Sequence, residues 1–283
     1  MFAQKSLKPD KPAGLAVCPP VMITEYEVFA VELAHEAAGV TLPFFRGDYA
    51  EENKAGPGSF DPVTEADKTA EATIRRMIAA RYPDHGVIGE EYGEDRPDAD
   101  HVWILDPIDG TRAFIAGLPL WTTLIALRIE AHPRVGVIAQ PYLDEIFLGG
   151  PSGARLLRGD SDTALKVRPC ERLTDALIAT TDADLFTGPE LGAWTQVRAA
   201  ARLARFGCDA YAYAMVAAGR IDLVAESALK VWDWSALVPV VEAAGGEVTN
   251  WRGEAPDETG QIIAVGDARV REQALVAFRR AAI

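Results

Sequence analysis

"WILDPIDGTRAFIAG", Trp103 to Gly117, decides how this chain is read. It begins as a plain hydrophobic strand and turns polar at Asp106 and Asp109, which bracket a proline and an isoleucine. Pro107 has no N–H to give to a strand ladder, so the strand is expected to stop there. Gly110 permits a tight turn, and Thr111 can cap a helix that follows. Such a turn holds two carboxylates close together. Side by side they repel, and one of the pair would ordinarily keep its proton. A hard divalent cation such as Mg2+ removes the conflict, because it takes oxygen ligands, commonly a few carboxylates with water and a substrate phosphate.

Further acids sit where they can join this pair. "VIGEEYG" places Glu90 and Glu91 directly after a short apolar strand. "VTEADK" puts Asp67 one turn into a helix, and "KVWDWSALVPVVEAAGG" puts Asp233 at the start of an apolar helix. Taken singly, each acid has an ordinary structural role: Asp106 capping a turn, Asp109 solvated, Asp67 compensating a helix dipole, Asp233 as an N-cap. Together they form a set that can meet at one sheet edge.

The composition suits an ordinary soluble globular protein with a sizeable core: 283 residues, 49% hydrophobic and 25% charged. The formal net charge is −14, from 42 acids against 28 bases, and there is no basic run, which disfavours nucleic acid as a partner. No apolar run approaches the ~18–20 residues of a membrane span. The opening "MFAQKSLKPDKPAGLAVCPPV" lacks a continuous apolar stretch, so it is expected to be a loose tail rather than a signal peptide. Cys18, Cys170 and Cys208 are odd in number and widely spaced, which fits a reducing cytoplasm. His35, His85, His101 and His132 never fall at metal-ligand spacing.

The hydrophobic pattern predicts a helix over Thr24–Ala38, with Glu27 three residues after Thr24 as in a capping box, and a second over Thr64–Tyr82. The polar, Gly/Pro-rich stretch 46–63 between them reads as a mobile loop. Short strands follow at "GVIG", "HVWILD", "WTTLIALRI", "RVGVIAQP" and "EIFLGG". A second cycle starts with a strand at "LIATTDADLF". Helices follow over "PELGAWTQVRAAARLA" and "CDAYAYAMVAAGR", then a strand "IDLVAE" and a helix "WSALVPVVEAAGG". Strands near Val248 and Ile263 and a terminal helix from Ala268 complete the cycle. Alternating helices and strands give a layered α/β fold. The expected organisation is a tail over 1–22 and one domain over 23–283, in two coupled halves, 23–165 and 166–283.

"GEE", "WILDPIDGT" and "WDWSALVPVVEAAGG", in that order and spacing, resemble the inositol monophosphatase superfamily over nearly the whole chain. That resemblance implies a five-layer αβαβα sandwich, Mg2+ dependence with two or three ions per site, hydrolysis of phosphomonoesters, and a homodimer. A finer similarity is to histidinol-phosphate phosphatases of the inositol-monophosphatase type. It is carried by "DPVTEADKTAE", "YPDHGVIGEEYG", "GLPLWTTLIAL" and "GCDAYAYAMVAAGRIDLVAESALKVWDWSALVPVVEAAGG".

By this resemblance Glu90, Asp106 and Asp109 are Mg2+ ligands, joined by the carbonyl of Ile108, and Asp233 completes a second metal position. Glu90 and Thr111 orient and help deprotonate the attacking water, and Asp67 supports Thr111 or a third metal. The backbone amides of Gly110 and Thr111 hold phosphate oxygens. Lys54 lies where the family often has a lysine near the metals, or is a solvated surface lysine. Glu226 and, after it, Asp209 are the acids expected to meet a cationic leaving group; ordinary strand-end polarity and an N-cap are the alternatives. Arg205 would approach phosphate or a partner chain, or be a surface charge. The leading expectation is therefore hydrolysis of L-histidinol phosphate. Behind it stand inositol-1-phosphate or broader sugar phosphates, then a sulfur-pathway nucleotide phosphatase, for which there is no basic, aromatic-rich pocket. A metal-binding regulatory homologue without turnover is the non-enzyme alternative.

Overall fold

The fold is that of a computed structural model, which describes residues 25–47, 51–53 and 62–283. The expected tail, the proposed cap Thr24 and Lys54 lie outside the described residues.

In chain order, α1 (Glu25–Thr41) is followed by a short antiparallel pair, β1 (Glu51–Asn53) and β2 (Pro62–Thr64), and by α2 (Glu65–Arg81). Eight strands then form one mixed sheet: β3 (Gly86–Gly89), β4 (Gly93–Asp95), β5 (His101–Asp109), β6 (Thr122–Ile129), β7 (His132–Gln140), β8 (Glu145–Gly150), β9 (Gly153–Arg158) and β10 (Ser161–Ala164). Their spatial order is β10-β9-β8-β7-β6-β5-β3-β4. A short helix, α3 (Thr111–Ile115), links β5 to β6. The second sheet has five strands, β11 (Leu177–Thr180), β12 (Leu203–Phe206), β13 (Leu223–Glu226), β14 (Glu247–Asn250) and β15 (Ile262–Val265), ordered β12-β11-β13-β15-β14. Between these strands run α4 (Pro189–Ala200), α5 (Tyr211–Ala217), α6 (Val231–Trp234) and α7 (Leu237–Ala243), and α8 (Ala268–Phe278) follows the last of them.

The strand period of two sorts the core into layers. On one face of the large sheet Trp103, Leu105, Ile125 and Leu127 pack with Phe29 and Leu33 of α1 and Ile74 of α2. On the other face Val102, Ile104, Leu124 and Ala126 join Tyr213 and Val216 of α5, Val240 and Val241 of α7, and Val224, Ile262 and Ala264 of the second sheet. The far face of that sheet, with Ile178, Leu223 and Ile263, packs on Trp194 of α4 and Leu275 and Phe278 of α8. Helices, sheet, helices, sheet and helices make five layers, αβαβα.

Three expectations give way to the structure. Strand β5 does not end at Pro107 but runs to Asp109. Asp106 lies opposite Leu124 and Asp109 opposite Thr122, so β5 carries one extra residue, and a bulge is where a strand tolerates proline. The helix expected through Ala204 ends at Ala200, because the next segment pairs with β11 as β12: Arg202 N and Leu203 N both donate to Ala176 O. The helix expected over 234–246 is two pieces, α6 and α7, with Ser235 Oγ donating back to Val231 O between them. Strands β4, β9 and β10 were not expected, nor was the antiparallel pair β1 and β2, which falls in and at the end of the stretch 46–63 read as a mobile loop. β4 and β10 are fully exposed edge strands with no hydrophobic alternation to reveal them.

Candidate active site

Strands β3 and β5 are parallel neighbours, with Gly89 opposite Leu105, so both deliver their C-terminal ends to one edge of the large sheet. Glu90 follows β3 there, with its amide bonded to Leu105 O. Buried Glu71 of α2 fixes that turn: its carboxylate accepts from Glu91 N (2.8 Å), Tyr92 N (3.2 Å) and Arg75 Nε (2.8 Å). A side chain at Gly89 would collide with it, so glycine is required before Glu90.

The bulge aims Asp106 and Asp109 into the same space. Asp106 is 2% exposed, and its Oδ1 accepts from Ile108 N at 3.1 Å. Asp109 Oδ2 accepts from Ala210 N at 2.8 Å and from Thr122 Oγ1 at 3.4 Å. Asp233 comes from the second half of the chain. It is the third residue of α6 rather than its N-cap, and its Oδ2 accepts from Lys230 N at 2.6 Å. One carboxylate oxygen from each of Asp106, Asp109 and Asp233 lies within 4.8 Å of the others. Thr111 is not the helix cap. Gly110 holds that position at φ +80, and Thr111 Oγ1 donates to Ile108 O at 3.1 Å.

Glu90, Asp106, Ile108, Asp109, Gly110, Thr111, Asp209, Glu226 and Asp233 line one cavity of about 380 Å3. The structure thus brings together every sequence-nominated residue except three. Asp67 is buried in α2 behind the cavity, where its charge bears on Asp106. Arg205 is exposed on β12, the edge strand of the second sheet, and does not line the cavity. Lys54 lies outside the described residues. Sequence reasoning missed Arg112, Thr181, Leu185, Leu229, Lys230 and Trp232, which complete the wall. It also missed Glu71 beneath the Glu90 turn. Lys230 and Trp232 precede Asp233 in "KVWDW", and that nearness was the available signal.

Burial pushes the Asp106 carboxyl well above its ordinary range, and the charges of Glu90, Asp109, Asp233 and Asp67 push it further. Asp109 is raised in the same way, by burial and then by Asp209 and Asp233, against the Ala210 amide. Such a set stays ionised only if a cation enters it, and three carboxylates with an adjacent carbonyl are the oxygen donors a hard divalent cation takes. The donors present therefore fit a metal. The same cavity wall holds two further acids. Burial pushes Asp209 up to about 6 against the pull of Arg112, and Glu226 up to about 8. Glu226 ends β13 and accepts from Thr181 N (2.6 Å) and Thr180 Oγ1 (3.1 Å). Asp209 has a positive φ of 44 and presses on Gly110, where a Cβ would sit 3.1 Å from the Asp209 Cγ.

An αβαβα sandwich with a carboxylate cluster at its strand ends defines a metal-dependent class of phosphatase. The sequence profile of the inositol monophosphatase family matches residues 22–282, and the chain belongs to that family. It is 38% identical over 266 residues to the chloroplastic bifunctional phosphatase IMPL2 of Arabidopsis thaliana, covering 89% of this chain and 75% of that protein. It is 36% identical to a histidinol-phosphatase of Chlorobaculum parvum, covering 79% of this chain and 85% of that one. Among solved structures, an inositol monophosphatase from Zymomonas mobilis superposes with a TM-score of 0.81 at 37% identity, over 90% of this chain and 98% of that one. Among the described residues no helix is long and apolar enough to cross a membrane.

Proposed function

We propose that the chain hydrolyses L-histidinol phosphate to L-histidinol and phosphate, as a Mg2+-dependent cytoplasmic homodimer. The observation that carries the substrate is the presence of Asp209 and Glu226 in the wall of the same cavity as the metal-ligand set, beside Asp109 and Asp233. Glu226 is buried and Asp209 half-buried, and two carboxylates there favour a cationic leaving group through charge-assisted hydrogen bonds. The likeness to a named histidinol-phosphatase supports the same reading.

Asp106, Asp109, Glu90, Asp233 and the Ile108 carbonyl would hold two or three Mg2+ ions, which supply a nucleophile from water at neutral pH and neutralise charge on the transferring phosphoryl group. Gly110 and Thr111 open the first turn of α3, where amides lack intrahelical partners, and these would hold the phosphate oxygens. Glu90 takes a proton from the attacking water, with the Thr111 hydroxyl orienting it. Thr111 is itself fixed by its bond to Ile108 O. Asp67, buried in α2, would support Thr111 or a third metal ion. Water adds to phosphorus, the ester P–O bond breaks, and the leaving alkoxide takes up a proton to become the free alcohol.

Glu226 also suits the hydroxyls of a neutral sugar, so inositol-1-phosphate is the second reading; a relative of known structure carries that name. A regulatory homologue without turnover is disfavoured by the intact acid set. The test is phosphate release from L-histidinol phosphate, inositol-1-phosphate and fructose-1,6-bisphosphate, with and without Mg2+. A Mg2+-dependent preference for the first is expected. Preference for inositol-1-phosphate would replace the substrate assignment, and no release from any ester would revive the regulatory one.

A further inference from the structure

Behind the main cavity lies a second, of about 20 Å3, bounded by Asp109, Thr181, Asp209, Tyr213, Glu226 and Asp233. Tyr213, on α5, is 2% exposed, and its hydroxyl finds no hydrogen-bond partner in the protein among the described residues. Three other buried polar side-chain atoms share that condition, on Trp121, Trp194 and Thr249, and none of those residues borders either cavity. An orphaned buried hydroxyl is costly, and native proteins keep few of them without a ligand or water to answer.

Size and charge limit the ligand. A space of this volume admits one group about the size of a water molecule. The walls carry four carboxylates, so a positive group is favoured and an anion excluded. A primary ammonium meets both demands, and it is a pure donor with three N–H groups and no acceptor. A sugar hydroxyl brings one donor and leaves the other acceptors unanswered.

We propose that Tyr213 completes, with Asp209 and Glu226, a subsite for a primary ammonium group on the leaving group of the phosphomonoester. The inference rests on the reading of this site as a phosphomonoesterase. The two carboxylates and the phenol oxygen supply three acceptors for three N–H donors. Thr180 and Thr181 hold Glu226 from the far side, and Gly110 backs Asp209, so both acids are set before the ligand arrives. Tyr213 is thus a specificity-determining residue.

The test compares L-histidinol phosphate with its desamino analogue, in which hydrogen replaces the amine, as substrates of the full chain with Mg2+. The wild type is expected to favour the amine by on the order of a hundredfold in kcat/KM, and Tyr213→Phe to reduce that ratio about tenfold, mainly through KM. The variant should also keep the Tm of the ligand-free protein, since the hydroxyl bonds to nothing there. Equal use of the two substrates by the wild type overturns the subsite. So does an equal loss on both in Tyr213→Phe, which would mean that water or an inorganic cation fills the space. A fall in Tm would show the hydroxyl already engaged in the fold and would likewise overturn it. Better use of inositol-1-phosphate than of either compound rejects histidinol phosphate as the substrate, while the amine ratio still decides the subsite.

Discussion

Two sets of buried acids in this molecule meet opposite fates. Asp222, 1% exposed, receives the Arg168 guanidinium at both oxygens (2.7 and 2.6 Å) and the Leu177 amide at 2.7 Å. Glu71 has Arg75 and two amides. Asp267 caps α8, accepts from Cys170 N, and is held well below the usual carboxylate range by Arg269. In the cavity between the sheets, Asp106 and Asp109 receive a few amide and hydroxyl bonds and are raised well above that range. Where the chain provides an arginine, a buried carboxylate is a structural clamp. Where it gathers carboxylates around one another, the cation must come from outside.

Breaking one member of each set separates the two roles. Asp109→Asn should lower turnover about a thousandfold or more, as expected for loss of a metal ligand, while the metal-free protein unfolds at no lower urea concentration. Phosphate release and a urea titration on the same preparation check this, and near-normal activity would remove Asp109 from the metal site. Asp222→Ala should do the reverse. It strands a partly exposed Arg168 and the Leu177 amide, costing about 2–3 kcal/mol of stability. Activity per folded molecule should stay within about twofold. An equal loss of activity would show the two sets to be coupled.

The comparison also predicts a pH dependence. Glu226, at about 8 in the fold, has an ordinary value of about 4.3 when unfolded. As pH rises between these values the unfolded chain ionises first, so the metal-free protein loses stability, with the full penalty reached above about 8. Glu226→Gln should flatten that slope in urea titrations at successive pH values; an unchanged slope would mean that other acids carry it. The smallest effect belongs to a neutral-imidazole site at the other end of the large sheet. His85 stacks between Tyr82 and His101 and accepts from Trp103 Nε1 at 3.1 Å. Burial holds its pKa down, and His101 and Arg96 add to this against Asp84. Its contribution is present above the unfolded value of about 6.5 and is lost as pH falls through the lower folded one. His85→Gln should reduce the acid-side loss of stability, read as Tm against pH.

Much of this contrast was legible in the chain itself. The apolar strand before Asp106, the acids after "GVIG" and the order of the motifs were local signals, and each produced the expected element. Less legible were features set by pairing. Pro107 reads as a strand end, yet β6 continues to pair beyond it across the bulge. Leu203 reads as the tail of a helix, yet the exposed edge of β11 draws it into the sheet. Glu71 carries no local signal in the chain, and only the turn at Glu90–Tyr92, whose amides it accepts from, gives it a purpose. Arg205 was nominated by resemblance, but pairing with β11 places it on the exposed strand β12, outside the cavity wall.

The sequence by itself determined that strands end in acids, that no cluster of basic residues answers them, and that helices and strands alternate in two cycles. These follow from residue type and period, which are local. Only the tertiary structure decided that Asp233 stands within 4.8 Å of Asp106 and Asp109, that Asp209 backs Gly110, and that the Tyr213 hydroxyl lies buried without a partner among the described residues. Those facts depend on how the two sheets pack through a shared helical layer, and that packing joins residues far apart in sequence that carry no mark of one another in the chain.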